Sequence, residues 1–264
     1  TNREYGLRSL TGSTPRQCAA ADQDWQIFRA YTSLVNAEAG TENTGPSLFG
    51  DTAADLNAAG GYDLTANDVQ WNIACYGDGI DTDRVEISGW ETGPVNYIRI
   101  FTPDSTDQVG TSQRHNGTWD TTAYRMHLPQ APGASSDGLV FSENYGRIDG
   151  LQIRKGPVTQ YSGNTCINLD QTEGDIRVSN NILRSINYSV YGTTAINEGN
   201  TGTPISATYR IWNNLIYDFV DIEQNNGRGI RFNNVGGSTG RAYIYNNNVV
   251  NVYDGIIITD FDVK

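Results

Sequence analysis

Apolar and polar positions recur in a fixed order in the second half of this chain. Each repeat holds an apolar residue, one variable residue, two asparagines and then a further apolar segment. The three copies are residues 178–183, 211–216 and 244–249, and successive copies are 33 residues apart. Self-similarity at a fixed period of this length predicts a solenoid, in which each repeat forms one coil and stacks on the next.

Strand-like alternation of apolar and polar residues extends the solenoid back to about residue 68. The first predicted strands are 69–74, 84–88, 96–102, 123–128, 138–143 and 147–153. Later coils carry a second strand each, at 165–169, 193–197, 229–232 and 255–259. Two or three short strands per coil predict an all-β, right-handed parallel β-helix, with Val178, Ile211 and Ile244 in one internal stack. The handedness follows from the crossover rule for parallel strands.

Residues 1–67 have a different pattern and are assigned to an N-terminal cap region of mixed, partly helical structure. Apolar residues spaced among alanines predict one or two short helices within 24–39, and a further helix within 47–59. A solenoid needs such a cap because its first coil would otherwise expose an apolar cross-section. Residues 68–264 then form the β-helix, as one continuous unit that a longer chain would extend.

The first asparagine of each pair has a structural explanation. Asn180, Asn213 and Asn246 occupy the corner between two strands, where the backbone needs a residue that tolerates the left-handed region. Their side-chain amides are also able to hydrogen-bond to one another along the axis of the solenoid. A structural ladder is therefore favoured over a catalytic role for these three residues.

Charge limits the partners that suit the chain. With 18 Lys and Arg against 30 Asp and Glu, its net charge is −12, which disfavours nucleic acid and anionic membranes as partners. No apolar run approaches the roughly 20 residues of a membrane span, so membrane insertion is not expected. The three cysteines, Cys18, Cys75 and Cys166, leave open one disulfide plus a free thiol.

The repeats resemble those of right-handed parallel β-helix proteins, the pectin-lyase-like superfamily, over residues 68–264. A series of upstream motifs is similar to uncharacterised β-helix repeat proteins of bacteria and their phages. The motifs are residues 31–34, 87–90, 96–100, 114–120 and 145–151. This resemblance implies the fold and a surface, secreted or virion location. It implies no reaction, because one fold hosts many functions.

Two surface features are candidates for contact with a glycan or a partner subunit. Arg147, Arg177 and Arg210 each precede an internal apolar residue, which predicts an outward ladder of arginines on neighbouring coils. Stacked like charges repel, so the ladder implies acidic side chains nearby or a bound polyanion. Trp212 and Tyr245 occupy equivalent outward positions, and exposed aromatic rings suit both sugars and protein interfaces.

Clustered carboxylates are the other candidate chemistry. Asp218, Asp221 and Glu223 lie within one short segment, and a carboxylate pair there would fit a polysaccharide lyase or a glycoside hydrolase. Asp78, Asp81 and Asp83 surround a glycine turn and are a candidate calcium site. An acidic turn that joins two strands explains the same three residues without a metal, and no other cofactor is expected. His115, with Asp120 to orient it, is a candidate base or simply an anchored loop residue.

The sequence favours a non-catalytic surface or virion module, such as an adhesin, a fibre or a filament subunit. Its expected partners are glycans or further copies of itself, as a homo-oligomer or a head-to-tail filament. The apolar segment 256–258 near the end of the sequence predicts a last coil that further coils or a second copy would cover. An acidic-polysaccharide lyase or glycoside hydrolase is the alternative.

Overall fold

The computed structural model describes most of the predicted solenoid and a short segment before it. The described residues are 31–41, 63–77, 79–105, 108, 113–128, 137–156, 165–186, 193–199, 203–220, 227–233, 238–259 and 262–263.

Nearly all of the regular structure lies in three parallel sheets. The first sheet has seven strands, in the order β1 (Trp71–Ala74), β4 (Ile98–Phe101), β7 (Tyr145–Asp149), β10 (Asp175–Ser179), β13 (Thr208–Trp212), β16 (Arg241–Tyr245) and β19 (Asp262–Val263). The second has six, which are β2 (Ile80–Asp81), β5 (Arg125–Leu128), β8 (Gln152–Lys155), β11 (Ile182–Ser185), β14 (Leu215–Phe219) and β17 (Asn248–Val252). The third also has six, which are β3 (Val85–Ile87), β6 (Leu139–Phe141), β9 (Thr165–Leu169), β12 (Thr194–Glu198), β15 (Arg228–Asn233) and β18 (Asp254–Thr259).

The chain visits the three sheets in turn, so each coil contributes one strand to each sheet. All of the strand pairs are parallel, and equivalent residues of successive coils pair in register. In the first sheet this register stacks Ile100, Ile148, Val178, Ile211 and Ile244 in one inward column. The predicted parallel β-helix and its internal apolar stack are therefore confirmed.

The strand predictions failed at one corner and missed the two shortest strands, β2 and β19. Residues 147–153 do not form a single strand, because the chain turns at Gly150, which has φ +82°, between β7 and β8. Gly150 takes the corner position that asparagine fills in the later coils. The short strand β2 has only two residues and no alternation to reveal it.

The first asparagine of each pair makes the tight corner between the first and second sheets. Asn180, Asn213 and Asn246 have φ values of 56°, 57° and 54°, in the left-handed region that asparagine tolerates. Their amides are linked along the axis, from Asn213 Nδ2 to Asn180 Oδ1 at 3.2 Å and from Asn246 Nδ2 to Asn213 Oδ1 at 2.5 Å. These links lie at the surface.

The second asparagine of each pair forms a ladder that is more deeply buried. Asn214 Oδ1 accepts hydrogen bonds from the backbone and side-chain nitrogens of Asn181, at 3.0 and 2.9 Å. Asn214 Nδ2 donates to Val178 O at 3.0 Å and to Asn247 Oδ1 at 2.9 Å. Because this inner ladder pairs backbone groups that the corner removes from water, it carries more of the stability than the outer one.

The segment before the β-helix contributes one described helix, α1 (Leu34–Glu38). Ser33 caps it by accepting a hydrogen bond from Asn36 N at 3.1 Å, and Leu34 and Ala37 are buried. The remaining helix predictions, within 24–30 and 47–59, fall outside the described residues. Of the helices that the structure describes, none is long and apolar enough to cross a membrane.

Cys75 and Cys166 are both buried, and Cys166 carries a free thiol. Cys166 lies in β9, and burial raises the pKa of its thiol to about 12. It is therefore protonated at neutral pH and acts as a small core residue. Cys18 lies outside the described residues.

We expect the inner ladder to matter more than the outer one. Asn214→Leu removes four hydrogen bonds and leaves buried backbone groups unpaired, so it should lower the free energy of unfolding by about 3–5 kcal/mol. The control, Asn213→Gly, keeps a residue that tolerates positive φ and loses only surface bonds, so it should cost about 1 kcal/mol or less. Urea unfolding followed by circular dichroism measures both. An equal loss in the two variants would contradict the buried ladder.

Candidate ligand-binding faces

The outer face of the first sheet carries a column of arginines. Arg99, Arg147, Arg177 and Arg210 occupy paired positions on β4, β7, β10 and β13. Three of these residues are the arginines that the sequence singled out, and the structure places them on adjacent coils. Arg99 extends the column by one coil.

One carboxylate compensates three members of this column. Asp175 Oδ2 lies 3.1 Å from Arg147 Nη2 and 2.9 Å from Arg177 Nε, and Arg210 contacts the same carboxylate. Burial and the neighbouring Arg177 lower the pKa of Arg147 to about 10, so it remains charged at neutral pH. The sequence predicted that either acidic side chains or a bound polyanion would compensate the arginines. The structure contains an acidic side chain in that role, Asp175.

Beside the arginines runs an aromatic column. Trp212 on β13 and Tyr245 on β16 are paired, with ring centroids 5.9 Å apart and planes only 6° from parallel. Tyr245 is 51% exposed. The β ladder fixes the spacing of the two rings, so together they offer a rigid aromatic surface to a partner.

The outer face of the second sheet holds a column that the sequence analysis did not identify. His127, Arg154, Arg184 and Tyr217 pair in order on β5, β8, β11 and β14. Arg154 Nη2 and His127 Nδ1 are 3.0 Å apart, and Arg184 Nη1 donates to Tyr217 Oη at 3.4 Å. The sequence does contain a signal for this column. Arg154, Arg184 and Tyr217 each lie three residues after the second of the two residues that form the corner of their coil.

A long connection between β4 and β5 places Trp119 against this column. The Trp119 ring is 6.0 Å from the imidazole of His127, and the guanidinium of Arg184 lies 4.8 Å from the Trp119 centroid and 5.8 Å from that of Tyr217. Arg184 is thus flanked by two aromatic rings. We call Trp119, His127, Arg154, Arg184 and Tyr217 the second-sheet cluster.

The connection that carries Trp119 is fixed to the corner at several points. Arg114 Nη2 lies 2.5 Å from Asp149 Oδ2, and His115 Nε2 is 2.9 Å from Asn180 O. Gly117 N donates to His115 Nδ1 at 3.2 Å, so both ring nitrogens are occupied. The carboxylate of Asp120 bonds to Thr122 rather than to His115. This geometry makes His115 an anchor of the loop and gives the proposed base no orienting carboxylate.

The carboxylates predicted as catalytic are only partly described. Asp218 has φ 64°, and its Oδ1 accepts a hydrogen bond from Asn251 Nδ2 at 2.7 Å, which links β14 to β17 along the axis as the outer asparagines link their coils. Asp221 and Glu223 lie outside the described residues. The structure therefore places one of the three, and gives it a structural contact.

The candidate calcium site is likewise incomplete. Asp78 lies outside the described residues. Asp81 Oδ2 accepts hydrogen bonds from Leu34 N and Tyr124 Oη, at 3.3 and 3.1 Å, and Asp81 Oδ1 accepts one from Asp83 N at 3.1 Å. Asp81 thus connects α1 to the β-helix. Within the described part of the chain, no group of three or more acidic, histidine or cysteine side chains could hold a metal ion.

A pair of carboxylates holds α1 against the third sheet through Trp90. Trp90 N donates to Glu143 Oε1 at 2.8 Å, and Trp90 Nε1 donates to Glu38 Oε1 at 3.2 Å. Glu143 is only 6% exposed, and burial, with smaller contributions from Glu38 and Glu91, raises its pKa to about 7. Burial also raises the pKa of Glu38. No local sequence pattern indicates this pair, because its members are 105 residues apart.

The raised pKa of Glu143 predicts a specific pH dependence of stability. A carboxyl whose folded pKa is raised stabilises the fold fully below its unfolded pKa, near 4.5, and that contribution is lost as the pH rises through about 7. Glu143→Gln keeps an acceptor for Trp90 N and cannot ionise. The free energy of unfolding of Glu143→Gln minus that of wild type should therefore increase by roughly 1–3 kcal/mol as the pH rises from 5 to 8.5.

Urea unfolding at several pH values measures this difference. Comparison with wild type removes the opposite contributions of His115 and His127, whose pKa values are lowered chiefly by burial, that of His127 to about 4. Glu173→Gln, at an exposed residue of the neighbouring coil, is the control and should follow the wild-type profile. A constant difference between Glu143→Gln and wild type at all pH values would refute the assignment.

Comparison of the chain with protein-family models, with curated proteins and with solved structures found no match.

Proposed function

We propose that this chain is a non-catalytic β-helix module of an extracellular, cell-surface or virion protein, within the pectin-lyase-like superfamily. In this proposal it presents the outer face of its first sheet to a glycan or to a partner subunit. The module acts as an adhesin, a fibre or a filament subunit.

The aromatic column is the observation that supports the proposal. Trp212 and Tyr245 are held in parallel by paired strands, and such rings bind with little loss of conformational freedom because the fold has already ordered them. The charges next to them are compensated within the chain by Asp175. A surface of aligned rings beside compensated charges suits a sugar ring or a protein surface, both of which bind aromatic side chains.

Self-association is the second form of partnership in this proposal. On the coil that contains β16, β17 and β18, Val250, Tyr253 and Ile256 are 51%, 53% and 49% exposed. Apolar side chains at this degree of exposure favour contact with another protein surface. Sedimentation velocity over a hundredfold range of concentration would detect it, and assembly that grows with concentration is the expected result.

A polysaccharide lyase or glycoside hydrolase remains the alternative, and one observation favours it. Near α1 and the third sheet, the pKa values of Glu38, Glu143 and Asp170 are all raised, chiefly by burial, and raised carboxyl pKa values are typical of general acids. Asp170 is exposed, whereas Glu143 is buried and bonded to Trp90. Release of reducing or unsaturated ends by wild type, abolished by Asp170→Asn, would establish the enzyme.

The glycan form of the proposal is tested on an array of neutral and acidic surface oligosaccharides. Because it removes both rings, the double substitution Trp212→Ala and Tyr245→Ala should weaken binding to the best wild-type ligand at least tenfold. The control is Tyr253→Ala, which removes an equally exposed ring from the same coil but outside the column, and it should stay within twofold of wild type. A chain that binds no oligosaccharide on the array and stays monomeric would contradict the proposal.

A further inference from the structure

We propose that the second-sheet cluster is a binding site for one anionic group, a carboxylate or a sulfate, on a short saccharide. Arg154 and Arg184 would hold the anion, and Trp119 would pack against the attached sugar ring. This site lies on a different face from the aromatic column of Trp212 and Tyr245. It therefore does not depend on the function proposed above.

The cluster has hydrogen-bond donors that none of the described residues uses. Each guanidinium carries five N–H donors, and Arg154 and Arg184 each make one hydrogen bond to a side chain of the cluster. Arg184 Nε is buried, and it has no hydrogen-bond partner in the part of the chain that is described. Among the described residues, no carboxylate forms an ion pair with Arg154, Arg184 or the nearby Arg125.

Comparison with the first sheet shows that the two arginines of the second sheet have no equivalent of the Asp175 carboxylate among the described residues. Arg177 and Arg184 belong to the same coil, and each pairs with an arginine of the preceding coil, Arg147 or Arg154. On the first sheet the carboxylate of Asp175 contacts both members of the pair. On the second sheet the same strand spacing, about 4.8 Å, separates two arginines without such a carboxylate. An anion from a ligand would take the position that Asp175 has on the first sheet.

The aromatic rings restrict the orientation of Arg184 and indicate which chemical group accompanies the anion in the ligand. Arg184 lies over the rings of Trp119 and Tyr217, which restricts its guanidinium before any ligand arrives. Trp119 and Tyr217 are both partly exposed. A sugar ring stacks on such a surface while its charged substituent reaches the arginines, so an anionic saccharide fits both halves of the cluster.

The overall charge restricts the length of the ligand. The net charge of −12 repels a long polyanion such as nucleic acid, whereas screening over about 8 Å lets a local group of arginines attract one nearby anion. The site therefore favours a single charged sugar within a short oligosaccharide.

His127 provides a reporter inside the site. Burial, together with Arg154, Arg125 and Arg184, lowers its pKa to about 4, so its imidazole is neutral and Nδ1 accepts from Arg154. A bound anion offsets the charge of these arginines and should raise that pKa. The chain has only two histidines, and His115 bonds to Asn180 O rather than to a member of the cluster, so their imidazole signals serve as probe and internal control.

Calorimetry and NMR titration of the whole chain test the proposal. The probes are a disaccharide with one sulfate, one with one uronate, the uncharged disaccharide, inorganic sulfate and a short single-stranded DNA. Arg184→Gln and Arg154→Gln remove the proposed ligands of the anion. Arg231→Gln is the matched control, because Arg231 lies at an outward position of the third sheet, outside both proposed binding faces.

We expect a charged disaccharide to bind wild type at least tenfold more tightly than the uncharged one or inorganic sulfate. Each of the two second-sheet substitutions should weaken that binding at least tenfold, Arg231→Gln should leave it within twofold, and the His127 pKa should rise while that of His115 stays constant. Equal loss in Arg231→Gln, tighter binding of inorganic sulfate or DNA, or an unmoved His127 pKa in wild type would each overturn the proposal. The wild-type titration decides the question even if a variant fails to fold.

Discussion

The stability of this β-helix depends on satisfying the backbone at one sharp corner. From β7 onwards, each coil turns between the first and second sheets over two residues, which removes backbone N–H and C=O groups from water. The side chains of Asn181 and Asn214 form hydrogen bonds with those backbone groups. Each side-chain amide also accepts and donates hydrogen bonds between adjacent coils. Because an unpaired buried polar group costs about 1–3 kcal/mol, the coils stack only in the register that completes this ladder.

The same register determines the chemistry of the outer faces. In-register stacking brings like side chains together, which suits asparagine and isoleucine but places arginine next to arginine. The first sheet resolves that repulsion with Asp175, whereas on the second sheet Arg184 lies between two aromatic rings and Arg154 bonds to His127. A repeat fold therefore produces surface sites as a consequence of its stacking, and the sites differ according to whether the chain supplies the counter-charge.

Features that repeat were predictable from the sequence, and features built by tertiary contact were not. The asparagine pairs and the 33-residue period indicated the coil, its corner and its inward isoleucines, and the arginines before Ile148, Val178 and Ile211 indicated a column. The sequence did not reveal that the second asparagine of each pair forms the buried ladder, because the two members of a pair are the same residue type. The second-sheet cluster needs Trp119 from a long connection, and the Glu38–Glu143 pair joins distant segments, so neither has a local pattern.

The central claim is that the inner asparagines of successive coils are hydrogen-bonded neighbours. NMR cross-relaxation between side-chain amide protons tests it most directly, in a chain labelled with ¹⁵N at asparagine. The account predicts cross-peaks from the Asn214 amide to those of both Asn181 and Asn247, residues 33 positions away on either side. Absence of both cross-peaks, with contacts typical of antiparallel hairpins instead, would contradict the parallel stacking from which every other conclusion follows.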